Sequence, residues 1–331
     1  MRPDIMGGWD VHAHLLPDGI VELARDRSYG MNLGDKTVEV HGFKLSLESM
    51  GRPRALLARL DSDRLDGAIV AIPPPLFRPD LPAAERRAYV QQMNEGLLRA
   101  VAPHERLLAM AYLPTDLPEL AIEIAGSLEG AWAGVIVGTD LGARSYADPA
   151  YHPLWQLLSD RGLPALLHPS ESKDPRLSEF YLSNLLGNPM ETTRAAAQMI
   201  FGDLPSLFPN LKIILSHGGG ATAALLGRWQ RGIDTSRPGL GPVGISAKDA
   251  GRWFYFDTIV HEPAVLDLLV RTIGTDHLLL GSDWPFPMGA PDADHDLGHL
   301  APESRRRIRT VNAAAVFPAI AKAGTGDRQT P

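Results

Sequence analysis

Residues 132–169 read WAGVIVGTDLGARSYADPAYHPLWQLLSDRGLPALLHP. The opening run, WAGVIVG (132–138), is almost continuously apolar. That is the pattern of a strand buried on both faces in a parallel sheet. HPLWQLLSDRG (152–162) is helix-like and stops at Gly162, a residue suited to ending a helix. LPALLHP (163–169) is a second apolar run, and it places His168 where the run meets Pro169. The order is strand, helix, strand.

The same alternation extends in both directions. Further strand-like runs are WDVHAHL (9–15), DGAIVAI (66–72), RLLAMAYL (106–113), LKIILSHG (211–218), RWFYFDT (252–258) and DHLLLGSD (276–283). Helical patterns lie between them at 52–64, 83–101, 117–128, 190–204, 220–232, 262–274 and 302–317. Pro53, Pro118, Pro263 and Pro302 mark helix starts, and Gly162, Gly232 and Gly274 mark helix ends. Eight strands and eight helices can be wound as an open sheet. Over 331 residues they favour a closed, distorted (β/α)8 TIM-type barrel, read as one domain over 1–331. One stretch breaks the rhythm. KTVEV (36–40), His41-Gly42 and FKLSL (43–47) read as a β-hairpin, so 17–52 is expected to be a flap inserted after strand one, over the C-terminal face. The polar tail 321–331 is expected to fray.

Composition narrows the function. With 32 Lys plus Arg against 39 Asp plus Glu, the net charge is −7, which argues against a nucleic-acid partner. It does not exclude an acidic substrate, because one arginine can dominate a pocket. No cysteine is present, so a metal would have to be held by histidine and carboxylate. The N-terminal sequence has no long apolar segment and no apolar run reaches membrane-spanning length, so a soluble, cytoplasmic protein is expected.

Asp10-Val11-His12-Ala13-His14 carries the first chemical signal. Residues i and i+2 of a strand share a face, so His12 and His14 both project inward. Alone, the pair reads equally as a metal claw or as two hydrogen-bonded core residues. Three further strand ends agree with the metal reading: His168 before Pro169, His217 before Gly218-Gly219-Gly220, and Asp283 before Trp284-Pro285. In a barrel all of these ends meet on one face. The glycine run lacks the lysine of a phosphate loop, and letting backbone pass close to His217 is reason enough for it.

DVHAHLLP, LLHPS, LSHGGGATAALLGR and GSDWPFP, in this order, resemble the amidohydrolase superfamily, as do FYLSNLLGNPMETT (180–193) and FYFDTIVHEPAVLDLL (254–269). The resemblance runs from about residue 9 to 317. It is closest to the metal-dependent decarboxylase branch, which includes aminocarboxymuconate-semialdehyde and γ-resorcylate decarboxylases. It implies one divalent metal ion, zinc or else manganese, with His12, His14, His168 and Asp283 as ligands. It also implies His217 as the acid/base residue beside the metal, with Asp283 sharing the catalytic centre. VIVGTD (135–140) has no lysine to carbamylate, which favours a mononuclear site. The implied activity is non-oxidative decarboxylation of a small aromatic or unsaturated carboxylic acid. The alternatives are a hydrolase or hydratase on the same barrel, using metal-activated water, and a binding protein without catalysis.

On the substrate side, Arg228 follows His217 at the spacing of an arginine that, in the similar decarboxylases, reaches the neighbouring subunit's site. A homodimer or higher homo-oligomer is then expected. A helix-surface arginine that is simply solvated is the other reading. Those relatives carry arginines in the flap, where this chain has Lys44 and Leu47, so a substrate with fewer charges is expected. Phe77, Tyr181, Trp284 and Phe286 could line the pocket or be plain core. Asp257 and His261, at the end of strand seven and just beyond it, could support the ligands, touch substrate or cap the structure.

Overall fold

The computed structural model describes residues 6–130, 132–170 and 172–324; residues 325–331 of the expected tail lie outside them. Eight of its strands form one parallel sheet: β1 (Trp9–His14), β5 (Gly67–Ala71), β6 (Leu107–Leu113), β7 (Trp132–Gly138), β8 (Ala165–His168), β9 (Ile213–Leu215), β10 (Phe254–Asp257) and β11 (Leu278–Leu279). Helices lie between consecutive barrel strands, the arrangement of a TIM-type barrel. Strands β5 to β9 are buried at every position, which is why they read as continuous apolar runs rather than as alternation.

The cylinder closes without a long final ladder. β11 is only two residues long, shorter than the 276–283 run suggested. The chain instead donates Val11 N–H to Leu280 O at 2.9 Å, Asp283 N–H to His12 O at 2.7 Å and His14 N–H to Trp284 O at 2.8 Å. These bonds tie β1 to the segment that carries Asp283.

Most expected helices stand close to their predicted limits; Ala83–Val101 is one example. Gly232 does not end its helix, which continues over Thr222–Asp234. The last pattern is one unbroken helical run over 302–316, in which a wider turn at Arg307–Val311 joins Pro302–Arg306 to Asn312–Val316. Residues 321–324 of the expected tail belong to the helix Pro318–Gly324.

After β1 the inserted stretch forms a short helix, Ile20–Arg25, and a three-stranded antiparallel sheet of β2 (Asn32–Leu33), β3 (Thr37–Val40) and β4 (Phe43–Ser46). The β3–β4 hairpin is the one expected, and β2 adds a third strand. Both turn residues have left-handed backbone, His41 at φ 48° and Gly42 at φ 81°, matching a tight hairpin turn. Tyr29 of the insert stacks edge-on against Tyr89, and Arg78, just beyond β5, donates to Tyr29 O. His41 also pairs with Asp80 at 2.9 Å. These contacts seat the insert against the segment that follows the C-terminal end of β5.

Candidate metal centre

Asp10, His12 and His14 alternate along β1, so all three leave the same side of the strand. Every side chain of β1 is buried. His168 closes β8. His217 and Asp283 lie beyond their strands, each in left-handed backbone at φ 55° and 56°. Non-glycine residues seldom adopt this conformation, and where they do the surroundings hold them there. Here the turns lift both side chains off the strand ends and back over the barrel mouth.

The five side chains converge. One ligating atom each from His12, His168, His217 and Asp283 lies within 4.8 Å of the others. The His14 Nε2 sits 3.1 Å from Asp283 Oδ1 and 3.3 Å from His12 Nε2. Asp283 Oδ1 is also 3.5 Å from His12 Nε2 and 3.9 Å from His168 Nε2, and its Oδ2 is 3.5 Å from His217 Nε2.

The outer nitrogens of the rings separate two kinds of histidine. His12 Nδ1 lies 2.7 Å from Asp257 Oδ2, His14 Nδ1 3.3 Å from Ile72 O, and His168 Nδ1 2.7 Å from Pro169 O. A backbone carbonyl can only accept, so Nδ1 of His14 and of His168 carries the hydrogen and donates it. In the neutral ring the inward Nε2 is then a bare lone pair. The same holds for His12, since an ionised carboxylate also only accepts. His217 differs. Its Nδ1 faces the Ser216 hydroxyl at 3.3 Å, which can donate or accept. The His12 and His14 rings are fully buried and His168 is 5% exposed at the side chain, whereas His217 is 16% exposed.

These facts test the fit of a cation. Inward lone pairs from three rings meet one carboxylate with no N–H among them to share. His168 Nε2 is buried without a hydrogen-bond partner. A buried polar atom left so is costly, and lone pairs crowded together repel. Three imidazole nitrogens and one carboxylate oxygen are a common donor set for a divalent transition ion. The residues present fit such an ion.

The charge environment agrees. Burial pushes the His168 pKa down to about 3 and also lowers that of His14, so both rings are neutral. Burial alone would raise Asp283, but the imidazoles of His14, His168, His217 and His12 around it hold it well below the usual carboxylate range. Burial likewise opposes charge on His12, yet the Asp257 bond and the nearby Asp283 carboxylate win and raise its pKa. The pocket therefore pulls positive charge in. Without a metal that charge can come only as a proton.

Two supporting carboxylates complete the site. Asp257 takes four donors: His12 Nδ1 and His217 N–H (2.9 Å) on Oδ2, and Gly218 N–H (2.8 Å) and Ile259 N–H (3.2 Å) on Oδ1. The sequence reading passed over Asp10. It is fully buried, which lifts its pKa to about 6. It accepts from Ser282 Oγ at 2.5 Å and from the N–H groups of His12 and Ser282, both at 3.1 Å. Its place two residues before His12, on the same face, was the available signal. Tyr112 was also missed; it stacks on Phe77 with ring centroids 4.7 Å apart.

The expected substrate contacts are scattered more widely. Phe77 is buried, with its ring 6.5 Å from that of His168, and the Phe286 ring lies 5.3 Å from that of His14. Trp284 is half-buried beside them. Lys44 pairs with Glu39 at 3.5 Å, and Tyr181 and Arg228 are exposed. His261 is exposed too; its N–H lies 3.4 Å from Asp296 Oδ2.

Residues 9–319 match the family model described as amidohydrolase. The chain belongs to the amidohydrolase family. The relatives place it in the decarboxylase branch of that family. It is 27% identical over 299 residues to 2-amino-3-carboxymuconate-6-semialdehyde decarboxylase of Dictyostelium discoideum, covering 85% of this chain and 82% of that one. It is 30% identical over 191 residues to 6-methylsalicylic acid decarboxylase of Penicillium expansum, covering 54% of this chain and 57% of the relative. Among solved amidohydrolase-type barrels, a 5-carboxyvanillate decarboxylase of Novosphingobium aromaticivorans, with manganese bound, superposes at a TM-score of 0.79. That pair shares 17% identity over 95% of this chain and 97% of the other, a likeness of fold. Among the described residues no helix is long and apolar enough to cross a membrane.

Proposed function

We propose that this amidohydrolase-family enzyme is a metal-dependent, non-oxidative decarboxylase of an aromatic or unsaturated carboxylic acid. The observation that carries the reading is the meeting of three outward-tethered imidazoles and Asp283, with a fourth, more accessible imidazole at their edge. The two relatives described above, from Dictyostelium discoideum and Penicillium expansum, are decarboxylases, which supports the reading.

His12, His14, His168 and Asp283 hold the ion. We assign zinc on the donor set, with manganese, present in the similar solved barrel, as the other outcome. When bound, the ion supplies Lewis-acid stabilisation of negative charge on substrate oxygen. The chain's own groups do the rest. Phe77 and Phe286 offer apolar walls to an aryl or enoic framework. His217, as imidazolium, delivers a proton to the carbon that bears the carboxylate. The bond from that carbon to the carboxyl carbon then breaks. Its electron pair returns to the unsaturated framework, CO2 leaves, and neutral His217 is reprotonated from solvent. The net change is RCO2− plus H+ to RH plus CO2.

Lys44 and Arg228 are assigned to the substrate's charged groups. Arg228 acts across a homodimer interface, where its exposure on Thr222–Asp234 leaves it available. Tyr181, His261 and Trp284 border the entrance in the assembled enzyme. A metal-loaded turnover screen over aryl and enoic carboxylic acids, with labelled carboxyl carbon, tests the reading. Labelled CO2 from at least one acid supports it. Substrate consumed with its label retained would assign a hydratase or hydrolase instead.

A further inference from the structure

One carboxylate touches both kinds of histidine. Asp257 is fully buried at the end of β10, and its two oxygens accept four donors. A carboxylate offers about four lone-pair positions, so this one is saturated. Oδ2 binds the ring of His12 and the backbone N–H of His217. Oδ1 binds the next N–H, that of Gly218, and also that of Ile259. His217 and Gly218 stand at φ 55° and 60°, consecutive left-handed residues whose amides point the same way. Left-handed backbone costs roughly 1–2 kcal/mol for a non-glycine residue. The paired amide bonds offset that cost.

We propose that Asp257 is a positioning residue for two functions at once. It holds His12 with the hydrogen on Nδ1, so that Nε2 is free to bind the ion, and it pins the turn that aims His217 at the substrate. The inference rests on the reading of the site as a metal centre. It adds a group that touches neither ion nor substrate but joins ion binding to proton delivery.

The substitution Asp257→Asn exposes this, because an amide cannot replace the carboxylate in either orientation. With its NH2 toward His12 and His217, it meets two N–H groups. His12 can then satisfy it only by moving its hydrogen to Nε2, which removes the lone pair from the ion. With its NH2 toward Gly218 and Ile259, it meets two N–H groups on that side, so the orientation that leaves His12 able to bind the ion costs two acceptors, the Gly218 anchor of the turn among them. Supporting partners of metal-bound histidines are worth 10–100-fold in metal affinity.

The test measures zinc affinity of the folded protein by competition with a chromophoric chelator. Asp257→Asn is compared with wild type and with Leu107→Ala, a buried substitution at the opposite end of the barrel. Zinc affinity is expected to fall about 10–100-fold in Asp257→Asn and to stay unchanged in Leu107→Ala. Equal zinc affinity in Asp257→Asn and wild type overturns the proposal. Should Asp257→Asn not fold, metal-free wild type labelled with 15N-histidine, at a pH where the His12 ring is neutral, decides. His12 must carry its hydrogen on Nδ1, and a hydrogen on Nε2 overturns the idea. A wild type that takes up neither zinc nor manganese fells the metal-centre reading, and this inference with it. Metal uptake without release of CO2 from any acid fells the decarboxylase reading alone.

Discussion

His217→Asn separates acid/base work from metal ligation. Asparagine is chosen because it tolerates φ near +55° better than alanine, so the turn over Asp257 can survive. The wild-type Nε2 lies 3.5 Å from Asp283 Oδ2, close enough to be mistaken for a ligand. Its outer nitrogen, however, faces a hydroxyl rather than an obligate acceptor, and its ring is the most accessible of the four. If its task is proton delivery, four ligating groups remain after its loss and the ion stays. Removing a positioned general acid costs roughly 10²–10⁴ in rate. At about 1.4 kcal/mol per tenfold, that is roughly 3–5.5 kcal/mol of transition-state stabilisation. Metal content by inductively coupled plasma mass spectrometry, read alongside kcat on the same preparation, checks both halves. A variant that loses its ion yet regains wild-type turnover in excess metal would refute the reasoning, because His217 would then be a ligand and not the acid.

Three further outcomes are expected. His12→Ala and Asp283→Ala should each purify without stoichiometric metal and lose turnover; full occupancy in either, by the same elemental analysis, would remove that residue from the ligand set. Asp10→Ala strips the acceptor from Ser282 Oγ and from the N–H groups of His12 and Ser282. At about 1–3 kcal/mol per buried orphan, urea denaturation should show a loss of roughly 3 kcal/mol or more. Gly220→Ala would set a Cβ 2.1 Å from Pro189 O at φ 59°, so its melting temperature should drop by several degrees while the other glycine of the region without such contact, Gly227, tolerates alanine.

The barrel could be read from WAGVIVG and its counterparts because burial on both faces leaves a direct mark on composition. Where a strand is short the mark fails. DHLLLGSD promised eight strand residues and supplied two, since its later half leaves the sheet to bond β1. Gly232 was misread for a similar reason: glycine permits a helix end but does not impose one. Lys44, Tyr181 and Arg228 were chosen on residue type and resemblance, because local pattern carries no information on which surface an exposed side chain faces.

The amino-acid order by itself determined the alternation of strand and helix, the shared inward face of His12 and His14, and the absence of thiol chemistry. Each follows from periodicity or composition, which are local properties. The folded molecule alone decided which ring nitrogen is free to bind an ion. That choice belongs to Ile72, Pro169 and Asp257, and the last of these is 245 residues from the ring it orients. It also decided that His217 and Asp283 reach the centre from left-handed turns beyond their strands. A tautomer is set by the acceptor that faces it, and which acceptor faces it is known only once distant segments have packed.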